Sequence, residues 1–411
     1  MLISKSKELN NILFSSFDLS EEIKNINFEE KHISKMYENI KISFAIMTFN
    51  EERCISRCLD SIQCLADEIV VIDTGSTDST IELLKSNSKV STIEVKWNED
   101  FSEIRNQLIK LTKNEWVFMI DADEHLSKEI QKNLKKFLLV LELLDTEIKI
   151  LSPRLINHDS SEIYLTQRVF KKNRDLKYYG YVHEELRNNN NAALPYFCIE
   201  DAIYHDGYKK EIVNNKEKNL RNKNLLLKMI QKEPSNLRWY YFLAREELSL
   251  GTEESKIEEL LNSAILNGKS EEDFQNFKAG IYSILSQVTM FDSEKFWKNA
   301  RVARKLLESN IDIYYFELIK TEEENKNYIR NILQENINSV LNIENTESFI
   351  HSSGDHLIYM WGKYFFSINE YEQAVEMWSK IESPEIKEEV FLEISKITNI
   401  FETFMESIYE K

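Results

Sequence analysis

The stretch WVFMIDAD, residues 116–123, joins an unbroken apolar run to two carboxylates separated by one residue. Such a run is typical of a buried strand, and the two aspartates would then lie on the turn at its carboxyl end. Two carboxylates on a strand-end turn can share a divalent cation with a diphosphate, because Mg²⁺ and Mn²⁺ favour oxygen ligands. A solvated acidic turn would carry the same residues, so the neighbouring strands must distinguish the two interpretations.

Two further polar segments follow strand candidates upstream. Thr48–Glu52 (TFNEE) comes directly after Ser43–Met47, and Asp73–Asp78 (DTGSTD) comes directly after Ile69–Ile72. In a parallel α/β sheet, ligands bind outside the carboxyl ends of the strands. The first aspartate of DTGSTD could accept hydrogen bonds from a base or a ribose. A purely structural turn, with the last aspartate capping the next helix, explains the same segment.

Strand-like and helix-like segments alternate between residues 41 and 150. This alternation predicts an α/β domain with a mostly parallel sheet covered on both faces. A further strand is predicted at Thr92–Val95, and helices are predicted at Glu52–Leu65, 79–85, 101–112 and Ser127–Leu144. The aromatic and polar mixture at 150–210 favours strands and long loops that complete the sheet and form the wall of a cleft.

The sequence predicts three regions: an N-terminal helical extension at 1–40, the α/β domain at 41–215, and an all-helical domain at 216–411. Segments 236–266 and 359–381 each resemble a tetratricopeptide-type helix pair, although a non-repetitive helical domain remains an alternative. The apolar positions of the first pair are Trp239, Leu243, Ala244 and Ala264.

Composition restricts the class of protein. The 411 residues include only 8 Gly and 4 Pro, which suits a chain rich in helices, and 42% are hydrophobic. The net charge of −18 argues against a nucleic-acid partner, because such proteins present a basic field to phosphates. We see no signal peptide and no apolar run long enough for a membrane span, so the sequence predicts a cytoplasmic protein. The four cysteines, Cys54, Cys58, Cys64 and Cys198, are expected to be reduced thiols, three of them on or beside a buried helix face.

The order of the motifs carries a family resemblance. TFNEER, VVIDTGSTDST, WNEDFSEIRN and FMIDADE, followed by QRVF, GYVHE and YHDGY, resemble the family 2 inverting glycosyltransferases of the GT-A fold. The later segments and the helical region resemble the branch that includes the peptide S-glycosyltransferases of glycocin biosynthesis. The specific motifs cover about 41–215, and the similarity beyond them is one of architecture.

The resemblance implies a donor site for a UDP-sugar and Mg²⁺ or Mn²⁺. The residues expected to bind the nucleotide-sugar are Thr48, Asn50, Glu51, Asp73, Asp100, Arg105, Asp121 and Ala122. Asp121, Asp123 and His205 are the expected metal ligands, although a histidine in such a segment is often only hydrogen-bonded. Arg105 could contact the diphosphate or a carboxylate beside the ribose, or it could form a surface salt bridge. Trp97 is expected in the core.

Inverting transfer needs a base that takes the acceptor proton as the new bond forms. Glu184 is the first candidate, and Glu185 and Asp123 are alternatives. His183 and Glu184 are the expected catalytic residues at the border of the acceptor site. The competing interpretation of Glu184 is an ion-pair partner that shapes its loop.

The sequence therefore predicts a metal-dependent inverting transferase that moves a hexose from a UDP-sugar, UDP-glucose in particular, to Cys or Ser of a ribosomally made bacteriocin precursor peptide. A lipid-linked or polysaccharide acceptor is the first alternative, and an inactive helical scaffold is the second. The sequence distinguishes neither the hexose nor S-linkage from O-linkage.

Apolar residues in the last predicted helix favour self-association. They are more numerous than one neighbouring helix would cover: Phe391, Ile394, Ile397, Ile400, Phe401, Phe404 and Ile408. A terminal helical array needs a cap or a partner for such a face. We expect a homodimer formed largely through the helical domain.

Overall fold

The structure is a computed structural model. It describes residues 30–143, 149–157, 162–163, 166–172, 175–205, 215–268, 275–324, 334–340, 348, 350, 353–368 and 370–409. The chain divides into two compact units, Met1–His158 with Ile163–Lys232, and Asp159–Glu162 with Glu233–Lys411. The division after Lys232 assigns the helix Asn215–Lys232 to the sheet unit, whereas the sequence predicted a boundary at 215/216.

The first unit contains the alternating elements that the sequence predicted, followed by short strands. The helices are α1 (Glu30–Asn39), α2 (Ile55–Ile62), α3 (Thr80–Ser86), α4 (Phe101–Leu111), α5 (Lys128–Leu143) and α6 (Asn215–Lys232). The first strands are β1 (Ile42–Thr48), β2 (Glu68–Asp73), β3 (Val90–Glu94), β4 (Trp116–Asp121) and β5 (Glu124–Leu126). The later strands are β6 (Ile150–Asn157), β7 (Glu162–Ile163), β8 (Val169–Lys171), β9 (Lys177–Tyr179), β10 (Glu185–Arg187) and β11 (Phe197–His205).

The main sheet runs in the order β3-β2-β1-β4-β8-β6-β11-β5, with β7 beside β6. Strands β1 to β4 are parallel, β8 is antiparallel to both of its neighbours, and β11 is parallel to β6. This mostly parallel sheet with crossover helices is a GT-A-like fold and confirms the predicted class.

Both faces of β1, β2 and β4 are buried, as an apolar run without alternation predicts, whereas the edge strand β3 is partly exposed. Phe44, Ile46 and Phe118 pack into one core with residues of α2 and α5. Ala45 and Met119 pack into a second core with residues of α4, and Trp97 packs against this core as expected.

The register brings the polar strand ends to one edge of the sheet. Thr48 pairs with Asp73 across β1 and β2, and Met47 pairs with Asp121 across β1 and β4. The three predicted motifs are therefore neighbours, because all three strands end at this edge.

Strand β5 was not predicted. Its three residues leave the turn after β4 and pair antiparallel with the end of β11, placing His205 opposite Glu124. A strand this short carries no readable alternation, so only the partner strand makes it recognisable.

The second unit is helical in its described part. Its helices are α7 (Leu237–Ser249), α8 (Glu254–Asn267), α9 (Gln275–Val288), α10 (Ser293–Leu306), α11 (Ile311–Glu324), α12 (Asp355–Ser367), α13 (Tyr371–Ser379) and α14 (Pro384–Tyr409), with a further helical segment at 334–340. Trp239, Leu243 and Ala244 on α7 and Ala264 on α8 are all buried, which fits the predicted helix pair.

The second pair, α12 and α13, packs through a glycine. A Cβ atom built on Gly362 would lie 2.2 Å from the indole Nε1 of Trp378. That indole nitrogen donates a hydrogen bond to the carbonyl of Tyr359 at 3.1 Å. The absence of a side chain at residue 362 therefore sets how closely the two helices approach.

Helix α14 exposes part of the apolar surface that the sequence predicted. Phe391 and Leu392 are 68% and 51% exposed, and Ile394 is 37% exposed. The side chains of Ile397, Ile400, Phe401, Phe404 and Ile408 lie outside the described residues. None of the described helices is long and apolar enough to cross a membrane.

All four cysteines are free thiols. Cys54, Cys58 and Cys198 are buried and Cys64 is exposed. The predicted reduced state agrees with this arrangement, and so does the buried position of Cys54 and Cys58 at the helix, whereas Cys64 lies beyond the end of α2 and is exposed.

Candidate active site

The loops after β1 and β2 are tied together by reciprocal hydrogen bonds. The amide of Asn50 donates to Ser76 Oγ at 2.8 Å, and the amide of Thr77 donates to Asn50 Oδ1 at 2.8 Å. Glu51 donates its amide to Thr80 Oγ1 at 2.8 Å. Asn50 has a positive φ of 55°, which asparagine tolerates better than most residues. The TFNE and DTGSTD motifs therefore form one rigid wall at the strand ends.

Asp73 is fully buried and builds its own loop. Its Oδ1 accepts from the amides of Gly75 and Ser76, at 2.9 and 2.8 Å, and its Oδ2 accepts from Ser76 Oγ at 2.5 Å. Gly75 adopts a φ of 112°, a conformation that only glycine adopts at little cost. The sequence allowed either a structural role or a nucleotide contact for Asp73. These contacts give it a structural role.

Thr48 and Glu51 place functional groups beside that wall. Thr48 is buried, and its Oγ1 has no hydrogen-bond partner among the described residues. Burial raises the pKa of Glu51 to about 7, and the charge of Asp123 adds to the rise. A buried polar group without a partner is costly, so Thr48 is suited to binding a ligand.

Asp100 and Arg105 have different positions on α4. Asp100 is the N-cap of the helix, and its Oδ1 accepts from the amide of Glu103 at 3.0 Å. Arg105, one turn further on, is buried and donates through Nε to Glu184 Oε1 and through Nη2 to Asp121 Oδ1. Its Nη1 has no hydrogen-bond partner in the described part of the chain. Arg105 therefore joins the Asp-Ala-Asp turn to the GYVHE loop.

Asp121 is held by two arginines. Its Oδ1 accepts from Arg105 Nη2 at 3.0 Å, and its Oδ2 accepts from Arg168 Nη2 at 2.7 Å. Burial raises the pKa of Asp121, but the charges of Arg105 and Arg168 lower it more, so its net shift is well below the usual range. Both carboxylate oxygens are thus committed to guanidinium groups, and Ala122, next in the turn, is buried.

Asp123 pairs with His205 across the turn. The His205 Nε2 lies 3.0 Å from Asp123 Oδ2, and its Nδ1 lies 2.8 Å from Asn157 Oδ1. Burial lowers the pKa of His205, but the hydrogen bond and charge of Asp123 raise it more, so the net shift is upward. The pairing of β5 with β11 produces this contact between residues far apart in sequence. Asp206, Gly207 and Tyr208, the rest of that motif, lie outside the described residues.

His183 and Glu184 lie in the loop of the β9–β10 hairpin. Positive φ angles at Gly180 (115°) and His183 (51°) turn the chain there. The backbone amide of Phe101 donates a hydrogen bond to the carbonyl oxygen of Tyr181 at 3.2 Å. The loop is therefore fastened to the beginning of α4, and Glu184 is fastened to Arg105. The side chain of Glu184 is 11% exposed.

Arg168 and Glu124 belong to the candidate site, although no role was predicted for them from the sequence. Arg168 was noted only as part of QRVF, and Glu124 only as part of FMIDADE. The Glu124 Oε1 accepts from Arg168 Nη2 at 2.5 Å, and its Oε2 accepts from the amide of Asp121 at 2.9 Å. An arginine and an acid inside otherwise buried segments were the available signals, because such charges need partners.

Among the described residues, no group of three or more His, Cys, Asp or Glu side chains has the arrangement of a metal centre. Asp123 and His205 form a pair of potential ligands, and Asp121 contacts arginines instead.

The mostly parallel sheet brings the three strand-end motifs to one edge, where α/β folds bind their ligands. Residues 43–206 match the glycosyl transferase family 2. The protein is a glycosyltransferase.

Relatives extend the similarity beyond that domain. The SPbeta prophage-derived glycosyltransferase SunS of Bacillus subtilis (strain 168) is 29% identical over 357 residues, which cover 85% of this chain and 82% of SunS. An uncharacterized glycosyltransferase of Rickettsia bellii is 38% identical over 101 residues, covering 23% of this chain and 32% of the relative. The crystal structure of S. aureus TarS aligns with a TM-score of 0.34 and 14% identity, covering 71% of this chain and 55% of TarS. The match to SunS confirms the resemblance that the order of motifs indicated.

Proposed function

We propose that this protein is a metal-dependent inverting glycosyltransferase that moves a hexose from a UDP-sugar, UDP-glucose in particular, to Cys or Ser of a ribosomally made bacteriocin precursor peptide. One observation carries the chemical part of the proposal. Contacts run from His205 and Asp123 through the Asp-Ala-Asp turn to Arg105 and Glu184, and this continuity supports a metal site and a base close to each other at the end of β4.

The metal would be held by Asp123 and His205. A carboxylate oxygen and an imidazole nitrogen 3.0 Å apart fit Mn²⁺ or Mg²⁺ with phosphate oxygens as further ligands. Asn157 binds Nδ1 of His205 and so turns Nε2 toward Asp123, as outer-shell partners of metal-binding histidines do. The cation would neutralise charge on the departing nucleotide diphosphate. We propose that Asp121 contributes to nucleotide binding and is not a metal ligand, because both of its carboxylate oxygens already accept from arginines.

The other residues predicted to bind the nucleotide-sugar fall into two groups: those that could contact it directly and those that hold the surrounding loops. Thr48 and Glu51 have groups that can bind a ligand directly, and Ala122 supplies backbone at the turn. Asn50, Asp73 and Asp100 use their side chains to hold the surrounding loops and the start of α4. These three residues would therefore shape the pocket rather than supply its main contacts.

Glu184 remains the proposed base. Arg105 donates to its Oε1, and the proton would be accepted by the other carboxylate oxygen, Oε2. A base oriented by a third group is the usual arrangement for activating a nucleophile. His183, held at a positive φ beside it, would border the acceptor site.

The peptide acceptor rests on the motif resemblance to peptide S-glycosyltransferases and on the relationship to SunS across most of the chain. A thiol acceptor reduces the work of the base, because a free cysteine with a pKa near ~8.5 is already partly ionised at neutral pH.

The experiment pairs the purified protein with a synthetic precursor peptide that contains Cys and Ser, and with a panel of UDP-hexoses. A mass gain of one hexose on the peptide, lost when every acceptor Cys and Ser is replaced by Ala, is the expected result. Hydrolysis of the UDP-sugar without peptide modification, together with transfer to a lipid-linked or polysaccharide acceptor, would replace the peptide assignment. Absence of UDP release with any acceptor would contradict the donor assignment.

We also propose a homodimer formed largely through the helical unit. The exposed Phe391, Leu392 and Ile394 on α14 support it, since a solvent-exposed cluster of large apolar side chains marks an association surface.

A further inference from the structure

Arg168 and Glu124 form a closed ring with Asp121. Glu124 Oε2 accepts the backbone amide of Asp121 at 2.9 Å, Glu124 Oε1 accepts from Arg168 Nη2 at 2.5 Å, and the same Nη2 donates to Asp121 Oδ2 at 2.7 Å. The ring fixes the backbone and the side chain of Asp121 at once. Arg168 and Glu124 are 8% and 2% exposed, so water competes little for these bonds.

The ring comes from two strands and a turn. The carbonyl of Arg168 accepts the amide of Met119 at 2.8 Å, which places Arg168 beside β4. Glu124 begins β5, directly after the turn. Asp121 is therefore held from β8 through Arg168, from β5 through Glu124, and from α4 through Arg105.

Burying three such charges has a high desolvation cost, and an apolar trio would stabilise the fold as well or better. The arrangement is therefore poorly explained by stability alone. The ring holds the Asp121 carboxylate in one orientation at the end of β4.

We propose that Arg168 is a positioning residue that acts through Asp121 on nucleotide binding, and that Glu124 orients Arg168. This inference rests on the proposed UDP-sugar donor. Because Asp121 is committed to arginines, its contribution to nucleotide binding is independent of the metal held by Asp123 and His205.

The test is a double-mutant cycle of Arg168→Gln and Asp121→Asn, with UDP binding measured by calorimetry with and without Mn²⁺. Arg168→Gln alone is expected to weaken UDP binding about tenfold, by the same factor in both conditions, the size of effect seen for partners that orient a ligating side chain. In the Asp121→Asn background the same change is expected to have less than a twofold effect. Arg168→Lys, which keeps the charge, should restore part of the affinity.

Lys171→Gln provides the matched control. Lys171 is the last residue of β8, the strand that follows Arg168, and is paired with Glu142 at 2.9 Å, away from the strand-end motifs. The Lys171→Gln variant should leave UDP binding unchanged, which shows that a loss in Arg168→Gln does not come from any charge removed near this strand.

Additive losses in the cycle would overturn the proposal, because Arg168 would then act independently of Asp121. A loss that disappears when Mn²⁺ is withheld would also overturn it, by assigning Arg168 to the metal. If the wild-type protein binds no UDP, the proposed donor is wrong. The same cycle in free energy of unfolding then decides whether Arg168 and Asp121 are coupled at all, and additivity there overturns the positioning role.

Discussion

At the scale of single residues, the site separates two aspartates that a sequence motif treats alike. Asp121 accepts from two arginines, whereas Asp123 accepts from a histidine that a second residue orients. The difference comes from register: the pairing of β5 with β11 places His205 beside the second aspartate. Two carboxylates in one turn therefore have different partners, and we propose different roles for them.

Asp123→Ala tests the metal role. Loss of a ligand to the cation should lower transfer by at least about two orders of magnitude, and EDTA should abolish activity until Mn²⁺ or Mg²⁺ is restored. Rates are measured by UDP release. The control Asp60→Ala removes an exposed carboxylate of α2 that accepts a hydrogen bond from Gln63, and should leave the rate unchanged. Full activity of the EDTA-treated protein would contradict this prediction.

Glu184→Gln tests the base. The change keeps the size of the side chain and removes proton acceptance, so transfer to a peptide Ser should fall by about two to four orders of magnitude. Transfer to the matching Cys peptide should fall less, and its loss should shrink as the pH rises toward the thiol pKa, because the nucleophile then ionises without help. The measurement is a pH series on both peptides, with UDP binding as the control.

Two outcomes would remove Glu184 from this role. Unchanged rates on both peptides would make it a loop residue only. An equal, pH-independent loss with weakened UDP binding would support the ion-pair interpretation, in which Glu184 serves Arg105.

The residue scale also shows where sequence reasoning stops. Asp123, His205, Arg105 and Glu184 could be named because each stands in a recognisable motif. Their partners could not, since a contact such as that between Arg105 and Glu184 depends on how α4 meets the β9–β10 hairpin. That packing is a property of the fold rather than of either segment.

At the scale of elements, the apolar strands were predictable and the short ones were not. Strand β4 was expected at 116–120 and found at Trp116–Asp121, because a long buried run has one interpretation. Helix α2 is shorter than the predicted Glu52–Leu65, since Asn50–Glu52 use their backbone and side chains to bind the DTGSTD loop. The tertiary hydrogen bonds of this loop therefore outweigh the helix propensity of its residues.

Gly362→Ala tests the packing of α12 on α13. Alanine favours a helix over glycine by up to about 1 kcal/mol, but the new methyl group would overlap the indole of Trp378, and overpacking costs about 1–3 kcal/mol. We expect a net loss in the free energy of unfolding, measured by urea denaturation. Trp378→Leu makes room, so the double variant should lose less than the sum of the two single changes. A gain in stability from Gly362→Ala would show that the helices separate easily.

At the scale of the whole molecule, a sheet unit that carries the candidate site is joined to a helical unit in one chain. The sequence predicted both units from composition and periodicity, and the compact division differs from the predicted boundary by the length of α6. A helix without a strand or repeat signature has no sequence feature that assigns it to either side.

Light scattering tests the homodimer. The protein is expected to have twice its chain mass of 48.7 kDa at micromolar concentration. Replacing Phe391 and Leu392 with Ser should shift it toward the monomer if α14 forms the interface. A monomer mass for the unaltered protein would contradict dimer formation, and a dimer that survives the double change would place the interface elsewhere.

The distribution of the thiols has a practical consequence for labelling. Cys54 and Cys58 are buried, and burial raises the pKa of each thiol, which slows alkylation. Cys198 is buried as well, so Cys64, at the end of α2, is the thiol that a maleimide dye would reach in the folded protein. One fluorophore per chain could then be attached without engineering a cysteine-free background, giving a reporter for acceptor docking by anisotropy.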